Sequence, residues 1–257
     1  MINFFRKIRQ KLLSENKFSK YLIYALGEIL LVVVGILIAL QVNNWNIAKK
    51  DRIREVKYLK NIELDLHKDL KSLSYNLDFR RKKYIGTNKL IDQINGMPIE
   101  DVTELSYNVL NTLMAERFTP NNATYTELSN SGNLNLISND SIKILLLELE
   151  ELYKTNNFGI DHETFDYREY ISKPLLKYID TDQLIPVFKG EKTITEQNIT
   201  KDNFSDLFQS LDYKNGLIIT NWITQDFIAL YESIDSKSKK IIDMLRVEIE
   251  NNKNKPL

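Results

Sequence analysis

Between Leu22 and Val42 only Glu28 and Gln41 interrupt an apolar run. About 20 such residues, at roughly 1.5 Å rise each, match the hydrocarbon core of a bilayer. Tyr21 and Tyr24 stand at one end and Trp45 at the other, where aromatic rings favour the membrane–water boundary. The pattern predicts a transmembrane helix over 21–46, in competition with a buried helix of a soluble core. Neither Gly nor Pro occurs from Ile36 to Ile85, so the helix is expected to run on, with a bend possible at Asn43, Asn44 and Asn46, which are poor helix formers. Leu59, Leu66 and Leu73 form one heptad row. Leu70, Leu77 and Tyr84 are read as a second row, as in a coiled coil or long bundle helix. Gly96-Met97-Pro98 ends the pattern near Asn95.

Further on, the 3.6-residue period predicts helices over 101–116, 123–131 and 141–156, the last capped within Ser138-Asn139-Asp140. Another starts at Asp161 after Gly159, is kinked or restarted by Pro174 and ends near Tyr178. Residues 181–201 read as a loop and 204–213 as a short helix. Residues 217–251 form a long helix with Phe227, Ile234 and Ile241 on one row and Tyr231 and Leu245 on a neighbouring one. Asn133–Ile137 alternates but is too short to predict as a strand. The expected fold is all-α: an N-terminal transmembrane helix and an extramembrane bundle whose long pillars are 47–95 and 217–251.

Residues 3–14, NFFRKIRQKLLS, place Phe4, Phe5, Ile8, Leu12 and Leu13 on one helical side and Arg6, Lys7, Arg9 and Lys11 largely on the other. Such a segment suits an anionic leaflet. No small-x-small cleavage site follows the apolar run, so an uncleaved anchor is expected. Basic residues balance on the two sides of the span. The tie is broken by the amphipathic segment and by the low weight of charges heading a long translocated domain. The expected organisation is 1–20 cytoplasmic, 21–46 spanning the inner membrane and 47–257 periplasmic.

Lys plus Arg equals Asp plus Glu, 35 each. That balance removes the usual electrostatic support for nucleic-acid binding. The absence of Cys removes disulfides, thiolate nucleophiles and Cys-based zinc sites.

Two stretches carry a resemblance. Phe4–Lys17 (FFRKIRQKLLSENK) and Lys20–Asn46 (KYLIYALGEILLVVVGILIALQVNNWN) resemble the opening of a family of small Bacteroidota membrane proteins that carry a domain of unknown function. Ala123–Gly132 (ATYTELSNSG), followed by Leu136-Ile137, is similar to a second, looser stretch of that family. The resemblance implies a membrane location and a bacterial source, and no activity.

Among candidate residues, Glu28 stands inside the apolar run, where an ionisable group is costly. Gly35 lies two turns on and Ala39 one turn beyond, on the same stripe. Small residues at that step let helices approach closely. Glu28, Gly35 and Ala39 are therefore a candidate packing face for self-association, against the alternative that Glu28 reaches back to the headgroups and Lys20. Arg6, Lys7, Arg9, Lys11 and Trp45 are the candidate membrane-surface contacts. His67, near Asp65 and Asp69, and His162, in Asp161-His162-Glu163, read as solvated surface rather than metal ligands. Glu148, Glu150 and Glu151 read as a wet face. Thr119–Ile137 is either a recognition loop or a connector closing the bundle, the connector reading being favoured. No phosphate loop, nucleophile elbow or zincin motif is present. No catalytic residue, metal or cofactor is predicted. The expected partners are the bilayer, further copies of the chain, or a membrane or periplasmic protein. The expected function is a membrane-anchored interaction or assembly module, with a periplasmic sensor or ligand-binding domain as the alternative.

Overall fold

The computed structural model describes residues 18–114 and 116–254. The basic segment carrying Arg6, Lys7, Arg9 and Lys11 lies outside the described residues. Among those described every regular element is helical. In order these are α1 (Phe18–Ile94), α2 (Val102–Asn111), α3 (Ala123–Asn130), α4 (Asp140–Asp166), α5 (Lys173–Tyr178), α6 (Thr181–Phe188), α7 (Ser205–Gln209) and α8 (Leu211–Asn254). A π-helical segment, Tyr167–Ser172, joins α4 to α5. The chain divides into two compact units between Val56 and Lys57.

In the first unit α1 holds the apolar run. Its Leu, Ile and Val side chains are exposed, and the helix is long and apolar enough to cross a membrane. At Asn43, Asn44 and Asn46, where a bend was possible, the helix is unbroken. Extending a helix is far easier than nucleating one, so three weak formers between good ones do not stop it.

The second unit is a bundle of α1, α4 and α8, with the short helices packed on it. Lys214 bonds Asn95, Asn221 bonds Asn88, Gln225 bonds Tyr84 and Arg246 bonds Glu63. Each step back along α1 is matched by an equal step forward along α8, so the two are antiparallel. Tyr153 reaches Asp69 and Glu163 reaches Arg80, which makes α4 parallel to α1. A parallel pair needs a long crossover, and residues 95–139 supply it.

Leu59, Ile62, Leu66, Asp69, Leu73, Asn76, Arg80, Lys83, Thr87 and Leu90 are each at most 4% exposed. They alternate at spacings of four and three, so the heptad seam of α1 is unbroken. The first predicted row holds. Of the second, Leu77 is buried, but Leu70 and Tyr84 are only partly so, and the more deeply buried row beside it is Ile62, Asp69, Asn76, Lys83 and Leu90. Its polar members hid it from a reading of apolar spacing. On α8 the predicted rows of Phe227, Ile234 and Ile241 and of Tyr231 and Leu245 are all buried.

Other expectations need correction. The helix expected to stop before Gly159 runs on to Asp166. A Gly inside a helix costs about 1 kcal/mol, but here the missing side chain makes room for Phe227, whose Cζ lies 3.0 Å from where a Cβ would be. Just before Pro174 the helix widens into the π segment, and the chain stays helical through the proline. Proline offers no N–H to the Tyr170 carbonyl four residues back, and Gly216 of α8 packs directly against that carbonyl. The stretch read as a loop over 181–201 contains α6, started by Asp180 accepting from the Asp182 N–H at 3.1 Å and anchored by buried Leu184. The helix expected over 204–213 is broken at Ser210, whose hydroxyl accepts from the Tyr213 N–H, so α8 begins at Leu211. The helix expected over 101–116 ends at Asn111, and Asn133–Leu136 is a turn of 3₁₀ helix.

Candidate functional site

Polar side chains in the seam of a bundle are costly unless each finds a partner. Here Asp69, Lys83, Asn156 and Tyr231 reach the backbone of one stretch of chain, residues 113–124, which leads from the end of α2 into α3. The Tyr167 hydroxyl donates to the Leu113 carbonyl at 2.5 Å, and the Lys83 ammonium to the Met114 carbonyl at 3.0 Å. The amide of Asn156 donates to the Phe118 carbonyl at 3.1 Å, and the Phe118 N–H to the Tyr231 hydroxyl at 3.4 Å. Phe118 itself is fully buried, with its ring edge-on to Tyr231 and tilted against Tyr153. All three long helices thus contribute to holding a connector whose described residues before Ala123 form no helix or strand.

Two carboxylates of α1 complete the hold. Asp69 accepts from the Asn121 N–H at 2.7 Å and from the Tyr153 hydroxyl at 2.8 Å. Asp65 accepts from the Asn121 side chain at 3.1 Å and from the hydroxyl and N–H of Thr124 at 2.6 and 3.2 Å. The Asn122 side chain of α3 supplies no cap bond. Asp65, more than fifty residues away in sequence, supplies that bond at the N-terminus of α3, where a carboxylate also meets the positive end of the helix dipole. Burial pushes the Asp69 carboxyl pKa up, and the Asn121 and Tyr153 hydrogen bonds pull against it. Burial and the charge of Asp69 push the Tyr153 hydroxyl pKa up.

Arg80, 1% exposed, forms a two-pronged ion pair with Glu163 of α4, one arm at 2.8 Å. Its guanidinium lies 4.3 Å from the centre of the Phe227 ring. Burial works against its charge, and the bonds and attraction of Glu163 overcome that, so its pKa is raised. One helical turn on, burial lowers the Lys83 pKa to about 8, opposed by Glu163 and reinforced by Arg80. A cavity of about 10 Å³ lies among Lys83, Glu163, Thr164 and Thr220, room for no more than a single water.

The residues singled out in the sequence lie elsewhere. Glu28, Gly35 and Ala39 fall along one continuous helix in the first unit. Glu28 is partly exposed and Ala39 exposed, and a side chain at Gly35 would meet no atom within 4 Å among the described residues. Trp45 is exposed, with the Lys49 ammonium 5.5 Å from its ring centre. His67 is exposed beside Arg246, and the His162 ring is tilted against that of Phe158. Among the described residues no group of three or more His, Cys, Asp or Glu is placed to hold a metal ion. Asp65 and Asp69 were noticed only as neighbours of His67, and Arg80, Lys83, Tyr153 and Asn156 not at all. The interrupted heptad was the signal available for Asp69, Arg80 and Lys83.

The profile of a family of unknown function, DUF6090, matches residues 28–185. That span takes in the apolar run from Glu28 onward, the held connector and the Arg80–Glu163 pair. No curated protein and no solved structure matches the chain.

Proposed function

The chain belongs to the DUF6090 family of unknown function, and from that premise we propose a membrane-anchored, non-enzymatic interaction or assembly module. Residues 21–46 form the single transmembrane helix, with the N-terminus in the cytoplasm and residues 47–257 in the periplasm. One observation carries the anchor: the Leu, Ile and Val side chains from Leu22 to Val42 are 42–74% exposed. So continuous an apolar surface is not stable in water and is satisfied by lipid. The interaction role is supported by what the bundle does with its buried polar groups. Asp69, Lys83, Asn156 and Tyr231 spend their hydrogen bonds on the chain's own connector, and the cavity beside Lys83 is water-sized, which favours an assembly module over a sensor with an internal ligand.

Glu28, Gly35 and Ala39 are the proposed self-association face. In lipid, close packing at small residues and interhelical polar contacts drive helices together. The topology is tested with single cysteines in the Cys-free chain. A cysteine at Ser129, exposed on α3, is expected to react with a membrane-impermeant maleimide in intact cells with a permeabilised outer membrane. Labelling only after the inner membrane is broken would reverse the orientation, and recovery of the chain in the soluble fraction would remove the anchor.

A further inference from the structure

Beside the Arg80–Glu163 pair, α4 and α8 leave a groove of about 270 Å³ between them. Gly159 and Phe227 form its floor. With no Cβ at Gly159 the Phe227 ring seats against the helix backbone, and the Arg80 guanidinium lies over the ring. Phe158 and His162, in ring contact with centres 4.6 Å apart, line it on α4, and Ile223 and Leu230 line it on α8. Phe158 is 69% exposed although it is fully apolar.

The two charged carboxylate residues that line the groove are Glu163 and Asp226. Glu163 is neutralised by Arg80. Asp226 has no ion-pair partner among the described residues, nor have Asp161 and Asp166, which follow Phe158 along α4, while Arg117 on the far side of Glu163 is bonded to Thr164. Lys154, the nearest lysine along α4, is paired with Glu151. An apolar slot with uncompensated carboxylates nearby complements a segment that carries one large apolar side chain flanked by basic residues. Size decides between a small molecule and a side chain. Small-molecule sites commonly run from about 300 to 1,000 Å³ and enclose their ligand. This slot is smaller and open, and suits one buried anchor of a protein interface.

We infer that the Gly159 groove is a docking site for a partner segment that inserts one aromatic or large aliphatic side chain and flanks it with Lys or Arg. This rests on the interaction-module reading and names the chemistry of its partner. The test uses the full chain in nanodiscs and a displayed library of random helical peptides, selected on wild type and counter-selected on Thr155→Trp. Thr155 lines the groove and is exposed, so the tryptophan fills the slot without entering the core. The enriched peptides are expected to share an apolar anchor with Lys or Arg within one turn, to bind Thr155→Trp at least tenfold more weakly, and to weaken as salt rises. Asp226→Lys is expected to shift the preference towards acidic flanks.

Equal binding to wild type and Thr155→Trp, or anchors with acidic or neutral flanks on wild type, would overturn the inference. So would light scattering in which Thr155→Trp alone dissociates a wild-type oligomer, since the occupant would then be a second copy. Photo-crosslinking from Trp222, on α8 outside the groove, separates the two readings: contacts there without any at Phe158 would keep the module and remove the groove.

Discussion

Arg80 of α1 and Glu163 of α4, 83 residues apart in sequence, meet as a two-pronged ion pair in the seam of the bundle, with Phe227 of α8 stacked on the guanidinium. Removing one partner leaves a buried charge without compensation. Glu163→Gln is therefore expected to cost about 3–5 kcal/mol, while Arg80→Met with Glu163→Leu costs much less, because the desolvation penalty goes with the pair. Thermal unfolding of the three proteins in the same detergent measures this. A double variant as unstable as Glu163→Gln would contradict it.

Lys83 gives the bundle a pH dependence of definite sign. Its pKa in the folded protein is lowered to about 8, below that of an unfolded lysine. The unfolded chain then holds more protons between about pH 8 and 10.5, so stability from this group rises through that window and is constant below it. The full swing is about 3 kcal/mol. Wild type is expected to gain on Lys83→Met as pH is raised from 7.5 to 9.5, read as the difference between their unfolding midpoints. A difference that stays flat would place the Lys83 pKa in the ordinary range.

The carboxylates of α1 are expected to control the order of the connector. Asp69→Ala strips acceptors from the Asn121 N–H and the Tyr153 hydroxyl. It should cost about 1–3 kcal/mol and open residues 113–124 to limited proteolysis. Asp65→Ala should fray α3 by removing its cap. Hydrogen exchange at Thr124 reports the second effect, and unchanged protection there would exclude Asp65 as the cap.

Much of this was legible from apolar spacing. The long helices, the first heptad row of α1, the rows of α8 and the apolar run follow from the spacing of apolar and aromatic residues. Some of what escaped is local, such as the Asp180 cap that starts α6 and the Ser210 hydroxyl that precedes α8; most of the rest is a side chain or backbone group whose partner is distant in sequence. Asp69 and Arg80 look solvated until Tyr153 and Glu163 are beside them. Gly159 looks like a stop until Phe227 fills the space at its Cα. The connector was read as closing the bundle, and its tethering agrees, but nothing in Thr119–Ile137 itself says which groups hold it.

Two glycines give a further test of close packing. At Gly216 an added Cβ would collide with the Tyr170 backbone carbonyl, whereas at Gly86 it would meet the end of the Asn108 side chain at 2.7 Å. Gly216→Ala is expected to lose about 1–3 kcal/mol through overpacking. Gly86→Ala should lose less, since a side chain moves more easily and Ala favours the helix. Paired unfolding measurements check the order.

The proposed self-association face makes the opposite demand. Gly35→Leu adds bulk where no neighbour lies within 4 Å in the single chain, so it should leave thermal stability and membrane insertion unchanged while reducing the mass seen by native mass spectrometry. A wild-type protein that is already monomeric at micromolar concentration would end the proposal.

The antiparallel register of α1 and α8 has a mechanical consequence. Arg246 lies beside Glu63 and Lys214 beside Asn95, so the bundle's first turns and its last come together at one end, roughly 50 Å of helix from the other at 1.5 Å per residue. Tension applied between Lys57 and a handle after Asn254 would peel these two helices apart pair by pair instead of shearing the whole seam at once. The bundle would yield at low force from that end, and the Arg80–Glu163 layer would be the first strong stop in an extension trace.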